Sequence, residues 1–292
     1  MGLLAAALLG VIQGITEFLP VSSTAHLLLA GELIGQGLGD PPFRAFVTII
    51  QSGTIAAVLL YFRDDLWRIA VAALRGLRDR RPLGSPEARL GWLIVLGTVP
   101  AAVAGKLLER RIEALGNGVI AFSLVAWGLA MLAAERWASH RRALDSLGVT
   151  DALAVGLGQA MALVPGTSRS GATITTGMLL GFRREDAARF SFLLSAPIVL
   201  AAGAYKLWKA LPVMAAEPAW QGATAVGTVV SGVVGYVVIG WLLGWLRTRT
   251  THLFVAWRIA LGLLVAVLLW QGVLPADDAP EPPRGAAATS AR

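Results

Sequence analysis

Glu17 is a carboxylate within an apolar stretch of the sequence, three residues before Pro20. In a membrane helix such a group costs about 2.5–3.5 kcal/mol unless it meets water, a partner or a metal ion. Gln13 precedes Glu17 by four residues, so both side chains project from one face of a helix. Ser23 and His26 follow the proline, where a turn can fold them back toward the carboxylate. The segment therefore indicates either acid–base or metal chemistry, or a carboxylate that only caps a broken helix.

A second polar cluster, Pro165–Thr173, contains Arg169 and precedes a predicted helix. The guanidinium offers a rigid fork of donors that suits phosphate oxygens. Glycines allow close backbone approach, and the free N–H groups of a helix N-terminus attract anions. The alternative is that Arg169 only pairs with Glu17 and holds two helix breaks together. The residues that we expect to bind phosphate are Gly166, Thr167, Ser168, Arg169, Ser170 and Thr173, with Gln13, Ser22 and Thr24 from the first cluster.

The available metal ligands favour a hard cation over zinc. The chain has no cysteine and only three histidines, of which His140 and His252 lie in basic segments. Zinc sites use mostly cysteine and histidine, whereas Mg²⁺ and Ca²⁺ prefer oxygen ligands. We therefore expect Mg²⁺ or Ca²⁺ to be held by Glu17 and by phosphate oxygens of the substrate.

The composition places these clusters in a membrane protein. Of the 292 residues, 56% are hydrophobic and 15% are charged, and the mean hydropathy is +0.67. An ordinary soluble domain cannot bury so much apolar surface. This composition also excludes a disulfide-stabilised secreted scaffold and a nucleic-acid-binding protein. Six runs lack Asp, Glu, Lys and Arg and are about long enough to span a bilayer; they are 45–62, 90–105, 114–134, 190–205, 219–246 and 259–276.

The two clusters are also the clearest sign of an internal repeat. Gln13–Ser23 is echoed by Gln159–Ser168, with the two prolines 145 residues apart. Each half begins with an interrupted apolar stretch, Gly2–Gly35 or Ala152–Gly181, and continues with three spans. An odd number of crossings inverts the second half. The predicted fold is therefore all-α and polytopic, with two inverted-topology repeats, each with a re-entrant helix pair and three transmembrane spans.

Loop charges predict the orientation of this fold. The segments 63–89, 135–151, 183–189 and 247–258 carry 16 Lys and Arg, against six on the opposite face. The first face is cytoplasmic by the positive-inside rule, so both termini lie outside. Arg169 is then the only Lys or Arg within the membrane domain that is not in a loop. We expect one membrane domain over 1–274, with repeats at about 1–140 and 150–274 and a disordered tail at 275–292.

The two clusters closely resemble the signatures of the undecaprenyl-diphosphate phosphatase family, which is also known for bacitracin resistance. Gln13–His26 carries the first signature and Pro165–Thr173 the second, while Phe190–Leu194 is also similar. The resemblance spans residues 1–273. Many members have Glu where this chain has Gln13, so this chain brings one carboxylate instead of two. Gln13 can still bind the cation as a second ligand through its amide oxygen, or it can position a water.

The resemblance implies a bacterial inner-membrane enzyme whose site opens to the periplasmic face. Such an enzyme hydrolyses undecaprenyl diphosphate to undecaprenyl phosphate and inorganic phosphate, and so recycles the lipid carrier of peptidoglycan and other envelope polymers. The implied partners are the long-chain prenyl diphosphate and the bilayer, with a second copy of the chain as a further candidate.

The sequence leaves the nucleophile and one rival function open. We favour attack by Ser23 with His26 as general base, but His26 can also attack directly or activate a water. Glu17 and Arg169 complete the catalytic set. The rival is a transporter or flippase of an anionic prenyl-phosphate lipid, because inverted repeats with broken helices are the usual architecture of transporters. A carrier needs Arg169 but has no use for a nucleophile beside a base.

Overall fold

The computed structural model describes residues 1–37, 39–113 and 115–276 of the chain; the predicted disordered tail lies almost wholly outside these residues. The described part is helical, with one short 3₁₀ turn at Leu144–Ser146 and one isolated bridge between Arg142 and Phe182. The α-helices are α1 (Leu3–Phe18), α2 (Ser23–Leu33), α3 (Pro41–Tyr61), α4 (Arg63–Arg78), α5 (Pro86–Glu113), α6 (Gly118–Trp137), α7 (Val149–Met161), α8 (Arg169–Leu179), α9 (Arg184–Ala215), α10 (Pro218–Thr248) and α11 (His252–Trp270).

Six of these helices are long and apolar enough to cross a bilayer, which confirms the predicted number of spans. They are α3, α5 and α6 in the first half, and α9, α10 and α11 in the second. The predicted junction at 136–150 coincides with the segment between α6 and α7. Between α3 and α5 lies α4, which carries an exposed tryptophan, Trp67, beside basic residues.

The two remaining helix pairs, α1/α2 and α7/α8, are the interrupted stretches. Both interruptions end on a serine with positive φ, Ser22 at 73° and Ser168 at 67°. Such a backbone is rare for residues other than glycine and is often found at functional sites. In the second interruption Gly166 has φ +84°, and a Cβ there would lie 2.6 Å from the carbonyl oxygen of Ile120. Each break thus turns the chain sharply without leaving the packed interior.

Each broken pair packs against a long span of the other half. In one contact α1 lies on α10, where a Cβ on Gly10 would come within 2.6 Å of the Gly227 carbonyl oxygen. In the other α7 lies on α5, where a Cβ on Gly156 would come within 2.2 Å of the Gly97 carbonyl oxygen. Small residues allow this close approach of helices in membranes. The packing therefore interlocks the halves and holds both breaks in the centre of the molecule.

The junction between the halves is fixed by Arg142. Its guanidinium pairs with Asp151 at 2.6 Å and lies over the ring of Phe182. Its backbone N–H donates to the carbonyl of Gly181, and its own carbonyl accepts from Arg183. The hydrogen bonds from Arg142 lower the pKa of Asp151 below its ordinary value. This pair anchors the start of α7, which leads into the second break.

Both ends of the described chain lie at one end of the helix bundle. Met1 packs against the same hydrophobic cluster as Trp220, which lies near the start of α10. Asn117, just before α6, donates its backbone N–H to the carbonyl of Ala276 and its side-chain N–H to that of Pro275. The opposite end carries the predicted basic segments, and several ion pairs link them, including Arg189 with Asp65 and Arg184 with Glu135.

One prediction about charge is wrong. We expected Arg169 to be the only basic residue of the membrane domain outside a loop, and we assigned Arg258 to the segment 247–258. The structure places Arg258 inside α11 with no exposed surface. The helix begins at His252, seven residues before the uncharged run that marked this span, so the arginine lies nearly two turns within it.

Candidate functional site

Glu17 is the centre of the hydrogen-bond network between the two breaks. It lies in the last turn of α1, and Arg169, the first residue of α8, donates Nη2 to its Oε1 at 3.3 Å. Gln13 Nε2 and Ser23 Oγ each donate to Glu17 Oε2 at 3.0 Å. The carboxylate, the guanidinium and a serine hydroxyl therefore share one site, although Glu17 and Arg169 are 152 residues apart in the chain.

The backbone of the two interruptions is also directly connected. Ser170 donates its hydroxyl to the carbonyl oxygen of Leu19 at 3.0 Å. Ser168 caps α8 by accepting a hydrogen bond from the backbone N–H of Gly171 at 3.1 Å. The start of α8 is thereby fixed against the end of α1, which sets the distance between Arg169 and Glu17.

Arg258 on α11 donates hydrogen bonds to backbone carbonyls of both breaks. Its Nη1 donates to the carbonyl of Pro20 at 3.1 Å, and its Nη2 donates to those of Gly166 and Thr167 at 3.2 and 2.9 Å. Further bonds reach carbonyls of α6 at Ser123 and Leu124. Buried carbonyls need such donors, and a helix break leaves several without an intrahelical partner. One guanidinium thus satisfies carbonyls of both interruptions.

A cavity of about 940 Å³ opens in front of this network. Its polar wall includes Glu17, Ser22, Ser23, Thr24, Gly166, Ser168 and Arg169. Apolar residues of α3 and α9, such as Ile55 and Ile198, form another part of the wall. A smaller adjoining cavity of about 190 Å³ is lined by Gln13, Ser23 and Thr24 among others. The site therefore joins a polar interior to an apolar flank.

The charges around the larger cavity favour an anion. Among its described lining residues the cations are Arg44, Arg169 and Lys206, and the one acidic residue is Glu17. Arg44 lies near the start of α3, and Gly116 in the α5–α6 turn also lines the cavity. The cavity thus extends to the end of the bundle where both chain ends lie.

His26 has different partners from those we expected. Its Nδ1 lies 2.7 Å from the carbonyl oxygen of Ser22, and its Nε2 accepts a hydrogen bond from Trp257 at 2.9 Å. These contacts define a neutral ring that donates through Nδ1. His26 does not line either cavity, and Ser23 donates to Glu17 rather than to the imidazole. In this arrangement His26 supports the turn that presents Ser23.

Comparison with known proteins places the sequence in a family. The model of the family described as bacitracin resistance protein BacA matches residues 6–264. The chain belongs to the BacA family. A protein from Anaeromyxobacter sp. (strain Fw109-5), named undecaprenyl-diphosphatase, is 67% identical over 96% of this chain and 92% of its own length.

More distant relatives with the same name cover the chain equally well. The Myxococcus xanthus protein is 48% identical over 94% of this chain and 91% of its own length. The Chloroherpeton thalassium protein is 45% identical over 94% of this chain and its whole own length. The resemblance to the phosphatase family that the two polar clusters indicated is therefore confirmed.

Three of the phosphate-binding residues expected in this BacA-family chain have protein partners instead. Thr167 is buried, with its carbonyl bound to Arg258. Ser170 is buried and bound to Leu19, and Thr173 hydrogen-bonds Ser191 at 2.5 Å. None of the three lines a described cavity. Ser170 and Thr173 thus use their hydroxyl groups within the protein, and the expected hydroxyl-bearing residues that line the larger cavity are Ser22, Ser23, Thr24 and Ser168.

Two residues at the site escaped the sequence analysis of this BacA-family member. Arg258 was missed because it was counted within the basic segment 247–258, although Leu253–Val255 already make the residues before it apolar. Gln159 was recognised only as part of the repeat. It is buried, it lines the larger cavity, and neither of its side-chain polar atoms has a hydrogen-bond partner among the described residues.

Proposed function

We infer that this chain is a membrane phosphatase that hydrolyses undecaprenyl diphosphate to undecaprenyl phosphate and inorganic phosphate. The observation that carries this function is the contact of Arg169 with Glu17 and of Glu17 with Ser23 in a cavity with excess positive charge. The relatives named undecaprenyl-diphosphatase, at 45 to 67% identity, support the same activity. Such an enzyme regenerates the lipid carrier of cell-wall synthesis and thereby protects against bacitracin.

The cavity suits a lipid with an anionic head group. A diphosphate is attracted by Arg169, Arg44 and Lys206, and the first amides of α2 and α8 add positive partial charge at the two breaks. The apolar flank formed by α3 and α9 accepts the first prenyl units. The rest of the chain then lies in the bilayer, so that only the head group needs a polar pocket.

The hydrogen bond from Ser23 to Glu17 supports a role for both residues in the chemistry. Ser23 Oγ attacks the terminal phosphorus while its proton passes to Glu17 Oε2, the atom that already accepts its hydrogen bond. The bond between that phosphorus and the bridging oxygen breaks, and undecaprenyl phosphate leaves. A water then attacks the phosphoserine, the bond between phosphorus and Ser23 Oγ breaks, and Glu17 returns its proton to Oγ, so that inorganic phosphate leaves with both protons of the water. His26 keeps the Ser22–Ser23 turn in place through the Ser22 carbonyl.

Arg169 stabilises the charge that moves during this transfer. Phosphoryl transfer depends mainly on positioning and on neutralising the phosphate oxygens. Arg169 Nη2 is bound to Glu17, while Nη1 is buried and has no partner among the described residues. A phosphate oxygen satisfies Nη1 without breaking the ion pair. The guanidinium can therefore bind substrate and hold Glu17 in position at the same time.

We also propose that the enzyme uses Mg²⁺ or Ca²⁺. Glu17 and the amide oxygen of Gln13 offer hard oxygen ligands, and the described residues contain no group of three acidic, histidine or cysteine side chains that could bind a metal alone. This donor set fits a cation that takes its remaining ligands from water and the substrate phosphates. When bound, it supplies further neutralisation of the diphosphate charge.

For the orientation, we propose that the cavity opens to the periplasmic side of the inner membrane. The cavity reaches the end of the bundle that carries Arg44 and Lys206, opposite the end with most Lys and Arg. The positive-inside rule assigns the latter to the cytoplasm. The inverted relation of the two repeats is part of the same proposal. It is supported by the exchange of packing partners, α1 with α10 and α7 with α5.

The test of the proposed function is an assay of the purified full chain in detergent with undecaprenyl diphosphate. We expect equal amounts of undecaprenyl phosphate and inorganic phosphate, and loss of activity after a chelator removes Mg²⁺ and Ca²⁺. Re-addition of either ion restores turnover. Absence of phosphate release in the presence of both ions contradicts the proposed function. Full activity in the presence of the chelator shows that the reaction needs no divalent cation.

The transporter alternative predicts a different result. A carrier moves a prenyl-phosphate lipid between the leaflets of a proteoliposome without releasing phosphate. The hydrogen bond from Ser23 to Glu17 favours the phosphatase, because a carrier needs no polarised hydroxyl beside its anion site.

A further inference from the structure

Gln159 lies near the end of α7, six residues before Pro165, much as Gln13 lies seven residues before Pro20 in the first repeat. The two glutamines have opposite surroundings. Gln13 is buried and donates to Glu17, one helical turn further along α1. One turn beyond Gln159 the chain has Leu163, which offers no acceptor. The second repeat thus has an amide at this point of the helix but no carboxylate one turn further along to satisfy it.

The amide of Gln159 is buried without a protein partner. The residue is 3% exposed, and both Nε2 and Oε1 lack hydrogen bonds to the described residues. Buried polar groups are nearly always paired with protein, water or a ligand. Gln159 lines the same cavity as Arg169, whose Nη1 is likewise buried and unpartnered. Two donors without a described protein partner, on either side of the α7–α8 break, therefore belong to residues that line one chamber.

We propose that Gln159 binds the phosphate that stays on the lipid, and that it is a specificity-determining residue for the diphosphate head group. The proposal rests on the proposed function. The terminal phosphorus must lie against Ser23, which belongs to the first break. The second phosphate then faces the other break, where Gln159 Nε2 donates to a non-bridging oxygen. Gln159 Oε1 accepts from a water of the head group, which satisfies both atoms of the amide.

This assignment separates the roles of the two repeats. The first break holds the reacting phosphoryl group through Ser23 and Glu17, and the second holds the leaving phosphate through Gln159. Arg169 lies between them, with one nitrogen on Glu17 and one directed to the substrate. Recognition of the second phosphate explains how an enzyme of this geometry selects a diphosphate over a monophosphate.

The experiment measures binding of undecaprenyl phosphate, which carries only the phosphate assigned to Gln159. The full-length protein in detergent is titrated with this lipid, and separately with inorganic phosphate, and binding is followed by the rise in unfolding temperature. Gln159→Leu should weaken the binding of undecaprenyl phosphate about tenfold, the effect of one hydrogen bond to a charged group. The binding of inorganic phosphate should stay within about twofold of wild type, and KM for undecaprenyl diphosphate should rise.

Thr175→Val is the matched control. Thr175 is also buried with an unpartnered hydroxyl and belongs to the same half, but it does not line the cavity. Its substitution should leave both affinities unchanged. If Gln159→Leu does not fold, Gln159→Met keeps the length of the side chain and carries the same prediction.

The outcomes are distinct. Unchanged binding of undecaprenyl phosphate in the Gln159 variants overturns the proposal, and so does a loss confined to inorganic phosphate or equal for both ligands. Because this titration needs no turnover, it reports on Gln159 even if the wild-type protein releases no phosphate from undecaprenyl diphosphate. That second result contradicts the proposed function instead.

Discussion

At the scale of single residues, the site depends on how one carboxylate is shared. Glu17 accepts hydrogen bonds from Gln13, Ser23 and Arg169. These donors offset the free-energy cost of burying the carboxylate, and the same contacts polarise the serine hydroxyl. A structural role and a catalytic role of the Glu17–Arg169 pair are therefore compatible. The pairing of Glu17 with Arg169 holds the breaks together and, in the proposed mechanism, also forms the reaction centre.

The proton path gives a first prediction for mutants. Ser23→Ala and Glu17→Gln should each lower kcat for undecaprenyl diphosphate by about 10³-fold or more, because nucleophile and proton acceptor are lost. His26→Ala should lower kcat by about 10- to 100-fold, as expected of a residue that orients a neighbour. The measurement is steady-state release of inorganic phosphate. Ser52→Ala, on α3 outside both cavities, is the control and should remain active.

A larger loss of kcat in His26→Ala than in Glu17→Gln would identify His26, rather than Glu17, as the general base. If His26→Ala abolishes turnover while Glu17→Gln retains most of it, the imidazole takes the proton after leaving Trp257. Full activity of Ser23→Ala would remove the phosphoserine and leave attack by His26 or by water.

Arg258 gives a second prediction at this scale. Arg258→Met leaves carbonyls of both breaks without donors in a buried site, and each unsatisfied group costs about 1–3 kcal/mol. The variant should unfold at a clearly lower temperature and lose phosphatase activity, and Arg258→Lys should recover part of both. Thermal unfolding and phosphate release are measured together.

The control for Arg258 is another arginine of the second half. Arg247 pairs with Glu185 on the surface, and its side chain is 71% exposed. Exposed ion pairs contribute about 0–1 kcal/mol, so Arg247→Met should behave almost as wild type. An Arg258→Met protein with normal stability and turnover would show that the hydrogen bonds from Arg258 to the two breaks are dispensable.

At the scale of elements, the positions of the breaks follow from close helix packing. The interrupted helices are short, and they stay inside the bundle because glycines let α1 lie on α10 and α7 on α5. The sequence showed where the helices break, since Pro20 and Pro165 interrupt apolar stretches. It did not show which spans receive the broken pairs, because glycines are frequent throughout the chain.

The extent to which the site was predictable has a similar physical basis. Glu17, Ser23 and Arg169 were recognisable because charged or hydroxyl groups are unusual in apolar segments. The partners of His26, Ser170 and Thr173 could not be predicted. The same residue spacing at a helix break allows a side chain to point either toward a ligand or toward the protein. The position of Arg258 inside α11 was not predicted, because this helix begins earlier than its uncharged apolar run indicates.

The α5–α7 contact provides a prediction at this scale. In Gly156→Ala a methyl group would lie 2.2 Å from the backbone oxygen of Gly97, so the helices must separate. We expect a lower unfolding temperature, and lower activity because α7 carries Gln159. Gly244→Ala is the matched control, since nothing lies within 4 Å of a Cβ at that helical position, and alanine is favoured over glycine there by about 0.5–1 kcal/mol. Equal stability of the two variants would contradict the packing account.

At the scale of the whole molecule, the account requires a fixed orientation in the membrane. The chain has no cysteine, so a single introduced thiol reports its own location. Asp79→Cys, after α4, lies at the basic end, and Ala216→Cys, between α9 and α10, lies at the cavity end. In intact cells with a permeable outer membrane, an impermeant thiol reagent should label position 216 and should label position 79 only after the inner membrane is opened. The reverse pattern would overturn the proposed orientation.

The central claim is that two breaks from different halves form a single phosphatase site, and a double-mutant cycle tests it most directly. The values of kcat/KM for undecaprenyl diphosphate are measured for Glu17→Gln, Arg169→Gln and the double variant. Residues that act as one unit give losses that do not multiply. The account predicts that the double variant is about as impaired as the worse single variant. Losses that multiply in full would show that Glu17 and Arg169 act in separate places, and would contradict the account.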